Sequence, residues 1–384
     1  MKILKILLLL TITQSCQAQD KKATIKEKKL ILVDSFPIFT EKAFFQAANL
    51  QKLDKKQILA WDYQKLNFCL LDLSDKSIQF INNKGNQPNN FVGNDIYPLL
   101  SQDTLYVLET GNSTHLKCYD TRNKKFDLIS NTPIYKYLGE FGVGYPPFQY
   151  VQAQNKILIP LTSKVNHFNE SAYYSTENPV FGELVLKDIG KYTYKHILKF
   201  GDFPEMKEIL KNNKKWWFAP DFVSSIYQEK LYLVPPFSKD IYVYDLKTEK
   251  ISKIEVPISD FKTNFTIKFD EIAQGDESME QQVKLFRANS HCVALQVTNE
   301  KIYYMYNQAF LVDELPKDLK KDFSKTVPNY ILLVYDTKTK VIERINLGKK
   351  FRPNSLFVSD DNKVFLINSP VLYDDIFVYQ IRWK

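Results

Sequence analysis

Glycine is scarce in this chain, 11 in 384 residues, and cysteine and histidine are scarcer still at 4 each. Cys16 lies in the leader, and Cys69, Cys118 and Cys292 show none of the short spacings of a metal knuckle or a CxxC redox pair. Cys69 and Cys118 fall in corresponding strands of neighbouring repeats. They read either as a bridge or as buried thiols behaving like small apolar side chains. No GxSxG, HExxH, P-loop or paired-carboxylate spacing occurs, so the sequence nominates no nucleophile–base pair. The apolar run at 6–12 is too short to cross a bilayer as a helix. A concentrated basic block is also missing. The formal charge is +8, but Lys2 and Lys5 belong to the leader and the other cations are scattered through turns such as KKQ, RNKK and KTEK. A nucleic-acid face gathers its cations in a patch or stripe, so nucleic acid is not an expected partner.

Aromatic residues are abundant: 14 % of the chain, with 27 Phe and 23 Tyr. Together with many Val, Ile and Thr, they suit strands with one packed and one wetted face. Six times an apolar run, a tight polar turn and a second run recur: FQAANLQKLDKKQILAWD, IYPLLSQDTLYVLE, FQYVQAQNKILIPL, FVSSIYQEKLYLVP, HCVALQVTNEKIYYMY and SLFVSDDNKVFLIN. Each reads as the first two strands of a four-stranded antiparallel unit. A second element supplies strands three and four: LLDLSDKSIQF, CYDTRNKKFDL, LVLKDIGKYTYKHI, YDLKTEKISKI and YDTKTKVIERI. The sixth unit stops after DDIFVYQIRWK, one strand short, while KLILVD at 29–34 precedes the first unit without a partner. Placing 29–34 beside 376–381 fills the gap and removes an open edge. The expected fold is all-β: a six-bladed β-propeller of four-stranded antiparallel blades, closed by the N-terminal strand on the C-terminal blade, in one domain from 29 to 384.

The basic start MKILK, the apolar run and TQSCQAQD form a secretory signal. Two cleavage readings stand. Ser15 before Cys16 resembles the end of a bacterial lipobox, after which Cys16 is lipidated; alternatively, Ala18 serves an ordinary signal peptidase. The short leader and the polar stretch behind it favour the lipoprotein, with a signal at 1–16 and a tether at 17–28. Acyl chains hold such a domain at a membrane because each buried methylene contributes about 0.8 kcal/mol.

Connections between strands one and two, and between three and four, are short throughout and lie on one side of a propeller. The long connections, between blades (82–96, 130–147, 199–219, 257–287) and between second and third strands (162–182, 306–329), emerge on the other side. Insertions gathered on one face mark a binding face. Two look helical: one capped by Asp202 with Pro204 in its first turn and Met206, Ile209 and Leu210 on one side, and one around 316–323 with Leu319 and Phe323 four apart.

Before the first strand of successive blades, an aromatic, a variable residue, a Pro or small residue and often Asn or Asp recur at 91–94, 145–148, 218–221, 286–289 and 351–354. The plain role is structural, an aromatic wedge and a turn starter. Two ligand roles compete with it at the channel mouth. Arg287 and Arg352 hold the same position in adjacent blades, a placement expected to let both guanidinium groups reach one anion, a carboxylate or phosphate. Alternatively, Asn94, Asp221, Asn289 and Asn354 offer oxygens to Ca²⁺, an arrangement that resembles the metal centre of propeller lactonases, with Asp221 as its one carboxylate. Tyr145 belongs to the same motif. His167, beside Tyr173 and Tyr174, and Trp217, beside Trp216, lie in long loops where aromatics stack on sugar rings or a peptide; the Trp pair alternatively staples the preceding helix to the blades. His291 follows the Arg287 copy.

The lipobox-like leader, the polar tether and the aromatic-rich blades with YDxKTxK turns together resemble the six-bladed β-propeller lipoproteins of Bacteroidota, and more narrowly the domain-of-unknown-function 4221 family. The resemblance covers the mature chain. It implies envelope localisation and a binding or scaffolding role, and carries over no catalytic residues. The Gln-Ala-Gln-Asp after Cys16 differs from the acidic surface-export signals of that phylum, so the periplasmic face of the outer membrane is expected, with the cell surface as the alternative. The expected function is a non-catalytic, membrane-tethered propeller that binds a peptide, glycan or partner protein through its long-loop face, with no cofactor. The alternatives are a propeller hydrolase or lactonase with a metal (Ca²⁺) or anion site at the channel mouth, and a structural subunit of an envelope complex.

Overall fold

The computed structural model describes residues 24–37, 48–52, 57–62, 67–72, 74–81, 95–101, 104–110, 115–120, 125–127, 149–151, 154–161, 175–188, 191–211, 222–263, 276–315, 323–359, 361–369 and 377–384. Two strands, β1 (Thr24–Lys28) and β2 (Leu30–Pro37), precede six sheets that follow one another along the chain. The first holds β3 (Ala48–Lys52), β4 (Gln57–Asp62), β5 (Asn67–Asp72) and β6 (Ile78–Ile81), and the second β7 (Asp95–Ser101), β8 (Thr104–Thr110), β9 (His115–Asp120) and β10 (Lys125–Asp127). The third holds β11 (Gln149–Val151), β12 (Lys156–Pro160), β13 (Pro179–Asp188) and β14 (Lys191–Lys199). The fourth holds β15 (Val223–Tyr227), β16 (Lys230–Val234), β17 (Ile241–Asp245) and β18 (Ile251–Ile254). The fifth holds β19 (Cys292–Thr298), β20 (Lys301–Asn307), β21 (Tyr330–Asp336) and β22 (Val341–Gly348), and the sixth β23 (Phe357–Val358), β24 (Val364–Ile367) and β25 (Phe377–Trp383). Within each sheet these strands form an antiparallel meander, and the fold is all-β. First strands touch in succession: β7 meets β11, β11 meets β15, β15 meets β19, β19 meets β23, and β23 meets β3. The succession is propeller-like.

The strand expected at 29–34 is β2, and it completes the sixth sheet. It runs antiparallel to β25 from Leu30 opposite Trp383 to Pro37 opposite Phe377, with a register shift between Leu32 and Asp34. Of the stretch expected as a tether at 17–28, residues 24–28 are described. Its last five residues form β1, which adds a fifth strand to the fifth sheet by pairing in parallel with β22, Thr24 opposite Val341 through Lys28 opposite Ile345. The sequence TIKEK carries no apolar stripe, and Thr24 to Glu27 remain exposed. The edge of β22 fixes it by offering unpaired backbone groups that must find partners.

The core lies between successive sheets, which explains the aromatic content. In β20, Ile302, Tyr304 and Tyr306 pack toward the fourth sheet, whereas Tyr303 and Met305 pack toward the sixth. In β21, Ile331 and Leu333 join the first group, and Leu332 and Val334 the second. Strands covered on both faces read as continuous apolar runs rather than alternating ones. The largest fully buried side chains are Tyr303, Tyr304, Tyr306, Phe181, Phe200, Phe203 and Phe351.

Short turns bind one end of the molecule together. The repeated Asp–Lys–Thr turn has a physical cause. Asp245 accepts the N–H groups of Lys247 and Thr248, and Asp336 those of Lys338 and Thr339, closing the turn through one carboxylate oxygen each. The left-handed position that follows is filled by Glu249 (φ 56°) and Lys340 (φ 58°), not by glycine. Turns between first and second strands clasp one another from sheet to sheet. Gln154 donates to Glu229 at 2.6 Å, Tyr227 to Asn299 at 3.0 Å, and Thr298 to Asn362 at 3.1 Å.

The opposite end carries long connections and two helices, α1 (Pro204–Lys211) and α2 (Asp276–Ala288). α1 is the expected helix, with Met206 fully buried, but Asp202 does not cap it: its carboxylate accepts the Lys199 N–H at 2.7 Å, and the Phe203 carbonyl accepts the Lys207 N–H. The helix expected around 316–323 lies mostly outside the described residues. A single 3-10 turn, Phe323–Thr326, follows it.

Candidate functional site

The path from α2 into β19 contains the fourth repeated motif, and it differs from the loop expected. Phe286 and Arg287 sit in the last turn of α2. An amphipathic surface forms this helix: Leu285 and Ala288 are buried, while Lys284 pairs with Glu280 at 3.0 Å on the outside. Asn289 ends it. Its side-chain amide donates to the Leu285 carbonyl at 2.7 Å, satisfying one of the acceptors a helix leaves open, and the residue is fully buried. The Asn289 carbonyl in turn accepts the Asn307 side-chain amide at 3.0 Å, and Asn307 Oδ1 accepts the His291 N–H at 2.7 Å. Ser290 accepts the Lys262 and Ala309 N–H groups, both at 3.2 Å. The β18–β19 connection is thereby tied to itself and to the start of the β20–β21 connection around Arg287.

Arg287 and Tyr330 share a hydrogen bond. Burial weakens the hold of Arg287 on its proton and the Tyr330 hydroxyl restores part of it; burial likewise raises Tyr330. A guanidinium beside a phenol is a donor-rich pair, suited to an anionic oxygen. Arg352 sits at the corresponding point of the sixth sheet, just before the 3-10 turn Pro353–Ser355. Its carbonyl accepts the Ser355 hydroxyl at 2.8 Å, and the turn packs against β19. The sequence-predicted positions Arg287, Asn289 and Arg352 therefore lie on neighbouring connections at the long-loop end. The backbone of Asn354 belongs to the same 3-10 turn. Cys16, Asn94, Tyr145, His167, Trp217 and Asp221 lie outside the described residues.

His291 packs between Phe286 and Phe237, with ring centroids 5.4 and 6.2 Å away. Burial drives its pKa down to about 4 against the pull of the Asn289 carbonyl, and the Arg287 charge adds to the fall. The next residue, Cys292, is a buried free thiol whose pKa burial pushes up. A neutral, ring-enclosed imidazole beside a thiol that keeps its proton does not make a nucleophile–base pair. Among the described residues, no three His, Cys, Asp or Glu side chains gather as metal ligands, and no helix is long and apolar enough to cross a membrane.

A second polar centre escaped the sequence. Asp260, in the connection after the fourth sheet, accepts from Arg344 at 2.6 Å and from Tyr306 and Gln308, both at 2.8 Å. Burial opposes its charge, but these three donors hold its pKa below the ordinary carboxylate value. Arg344 also reaches Glu27 of β1 at 3.1 Å. The group borders a cleft of about 280 Å³ lined by Ile25, Pro257, Ile258, Leu333 and Ile342. The four polar residues come from three separate stretches of the chain, 260, 306–308 and 344, and share no motif, so nothing along the chain joined them.

The same arrangement of sheets occurs in solved structures. A member of the DUF4221 family from Bacteroides vulgatus matches with a TM-score of 0.64 at 13% identity, over 93% of this chain and 99% of the other. A Bacteroides fragilis protein described as exported matches with a TM-score of 0.50 at 12% identity, over 94% of this chain and all of the other. The resemblance carried by the leader and the repeats thus extends to the fold. No family model and no curated protein matches the chain.

Proposed function

We propose that the protein is an exported six-bladed β-propeller, held at the outer membrane through Cys16, that binds a peptide, glycan or partner protein on its long-loop face without catalysing a reaction. The six meanders, the β2–β25 pairing and the succession of first-strand contacts support the propeller; the signal-like leader and the likeness to an exported protein support the location. The observation that carries the binding role is the asymmetry of the two ends. One end is clasped by tight turns, while the other presents α1, α2 and the Arg287–Tyr330 and Arg352 positions on interlocked connections. Donor-rich arginine positions favour ligands with carboxylate groups, such as acidic peptides or uronic-acid glycans.

The test is binding of the purified protein to arrayed acidic and neutral peptides and glycans, repeated with Arg287→Ala and Arg352→Ala. Preference for acidic ligands, lost in the variants, is the expected result. Binding that survives both substitutions and is lost on altering the short-turn end overturns the assignment of the face.

A further inference from the structure

The N-terminal segment docks twice. β2 supplies the strand that the sixth sheet lacks, so closure does not require β1; yet β1 adds itself to the neighbouring fifth sheet, which already has four strands. Its attachment is specific. The Thr24 N–H donates to the Lys340 carbonyl at 3.3 Å, Glu27 pairs with Arg344, and Lys28 reaches Glu343 at 3.5 Å. Lys340 closes the turn between β21 and β22. That turn belongs to the clasped end, because the Thr337 N–H donates to the Glu300 carbonyl at 2.8 Å and Lys338 pairs with the Glu300 carboxylate. The chain therefore enters the folded body at the rim of the short-turn end, beside the fifth sheet.

From this geometry we infer that β1 is a docked length of tether that fixes how the protein faces the membrane: short-turn end toward the lipid surface, long-loop end away from it. The inference rests on the proposal that Cys16 carries the lipid. Seven residues, 17–23, separate Cys16 from Thr24, and fully extended they reach about 25 Å at most. If β1 were undocked, twelve residues would lie between Cys16 and Lys29, a reach of about 40 Å. Lys29 itself remains held by two backbone hydrogen bonds to Lys384 at 3.1 and 3.2 Å. A body several tens of ångströms across on the shorter leash cannot turn its far end to the bilayer, whereas on the longer one it tumbles more freely. Docking β1 thus presents the ligand-binding face outward from the lipid.

The experiment uses the full chain, acylated in a Gram-negative host and reconstituted into phospholipid vesicles that carry a headgroup-attached quencher. A fluorophore is introduced as an unnatural side chain either at Lys338, on the short-turn end, or at Asp313, on the long-loop side; both positions are exposed. Several-fold stronger quenching at 338 than at 313 is expected. Glu27→Ala, which removes one latch and leaves the sheets intact, should narrow the difference, and Glu27→Ala with Arg344→Ala should narrow it further. Equal quenching at both sites, stronger quenching at 313, or a difference indifferent to these substitutions overturns the inference while leaving the lipid anchor standing. Mass spectrometry of the N-terminal peptide separates the two ideas: a Cys16 without acyl chains removes the anchor and this inference with it.

Discussion

Trp383 of β25 donates its indole N–H to the Glu343 carboxylate of β22 at 2.8 Å, and the Lys28 ammonium approaches the same carboxylate at 3.5 Å. One acid therefore joins the fifth sheet, the sixth sheet and the N-terminal strand. Trp383→Phe keeps the ring packing but removes the donor. It should lower stability by about 1.5 kcal/mol, the lower end for a hydrogen bond to a charged group, since Glu343 is only half-buried. Urea unfolding should show a lower midpoint with an unchanged slope.

Gly182 of β13 lies against the Tyr194 ring of the neighbouring strand, where an added Cβ would collide with the ring and its hydroxyl. Gly182→Ala should cost about 1–3 kcal/mol, the range for overpacking a close-packed site. Combining it with Tyr194→Leu should recover part of the loss. A double-mutant cycle on thermal or urea unfolding measures the coupling.

Lys340 holds a left-handed backbone, φ 58°, on an exposed turn. A side chain there is strained and glycine is not, so Lys340→Gly should raise stability by about 0.5–1 kcal/mol after allowing for the greater freedom of glycine in the unfolded chain. An unchanged or lower denaturation midpoint would contradict this account.

His291 gives the protein a pH dependence of defined sign. Its folded pKa is depressed to about 4, so the native protein keeps it neutral while the unfolded chain binds a proton near the ordinary value. Its contribution is fully present above about pH 6.5 and is lost as pH falls through about 4, a change of at most about 3 kcal/mol. Stability measured between those limits should fall in the wild type and stay flatter in His291→Phe. An imidazole that titrates near pH 6.5 by NMR in the folded protein would overturn the assignment.

The repeats were legible because each carries its own punctuation. The Asp that closes the turn at 245 and at 336, and the apolar runs around it, are local signals, and the physics that forms the turn is written within five residues. Strand β2 was legible for the opposite reason: KLILVD is too apolar to remain alone, and the sixth unit lacked a strand. β1 was not, because TIKEK owes its place to an edge more than 300 residues away in the sequence and buries little of its own surface. α2 was hidden inside a connection read as loop, although Leu285 and Ala288 carry its buried side. At the candidate site, Arg287 and Arg352 were found through repetition. The support around Arg287, made by Asn289, Ser290 and Asn307, and the Asp260–Arg344 centre depend on contacts between distant segments and leave no local trace.

The pairing of β2 with β25 also has a consequence in time. β2 is synthesised before the strands of all six meanders, and β25, the strand it needs, follows every other described strand. Every other sheet can form its four-stranded meander from local chain, but the sixth must wait until the chain has been made from β2 through to β25. Until then the backbone groups of β2 have no edge to join, whereas Leu32 and Val33 stay exposed even after it docks. Loop closure on this scale slows folding. The nascent chain therefore carries β2 unpaired while the intervening sheets are made, and the sixth sheet completes only when β25 arrives.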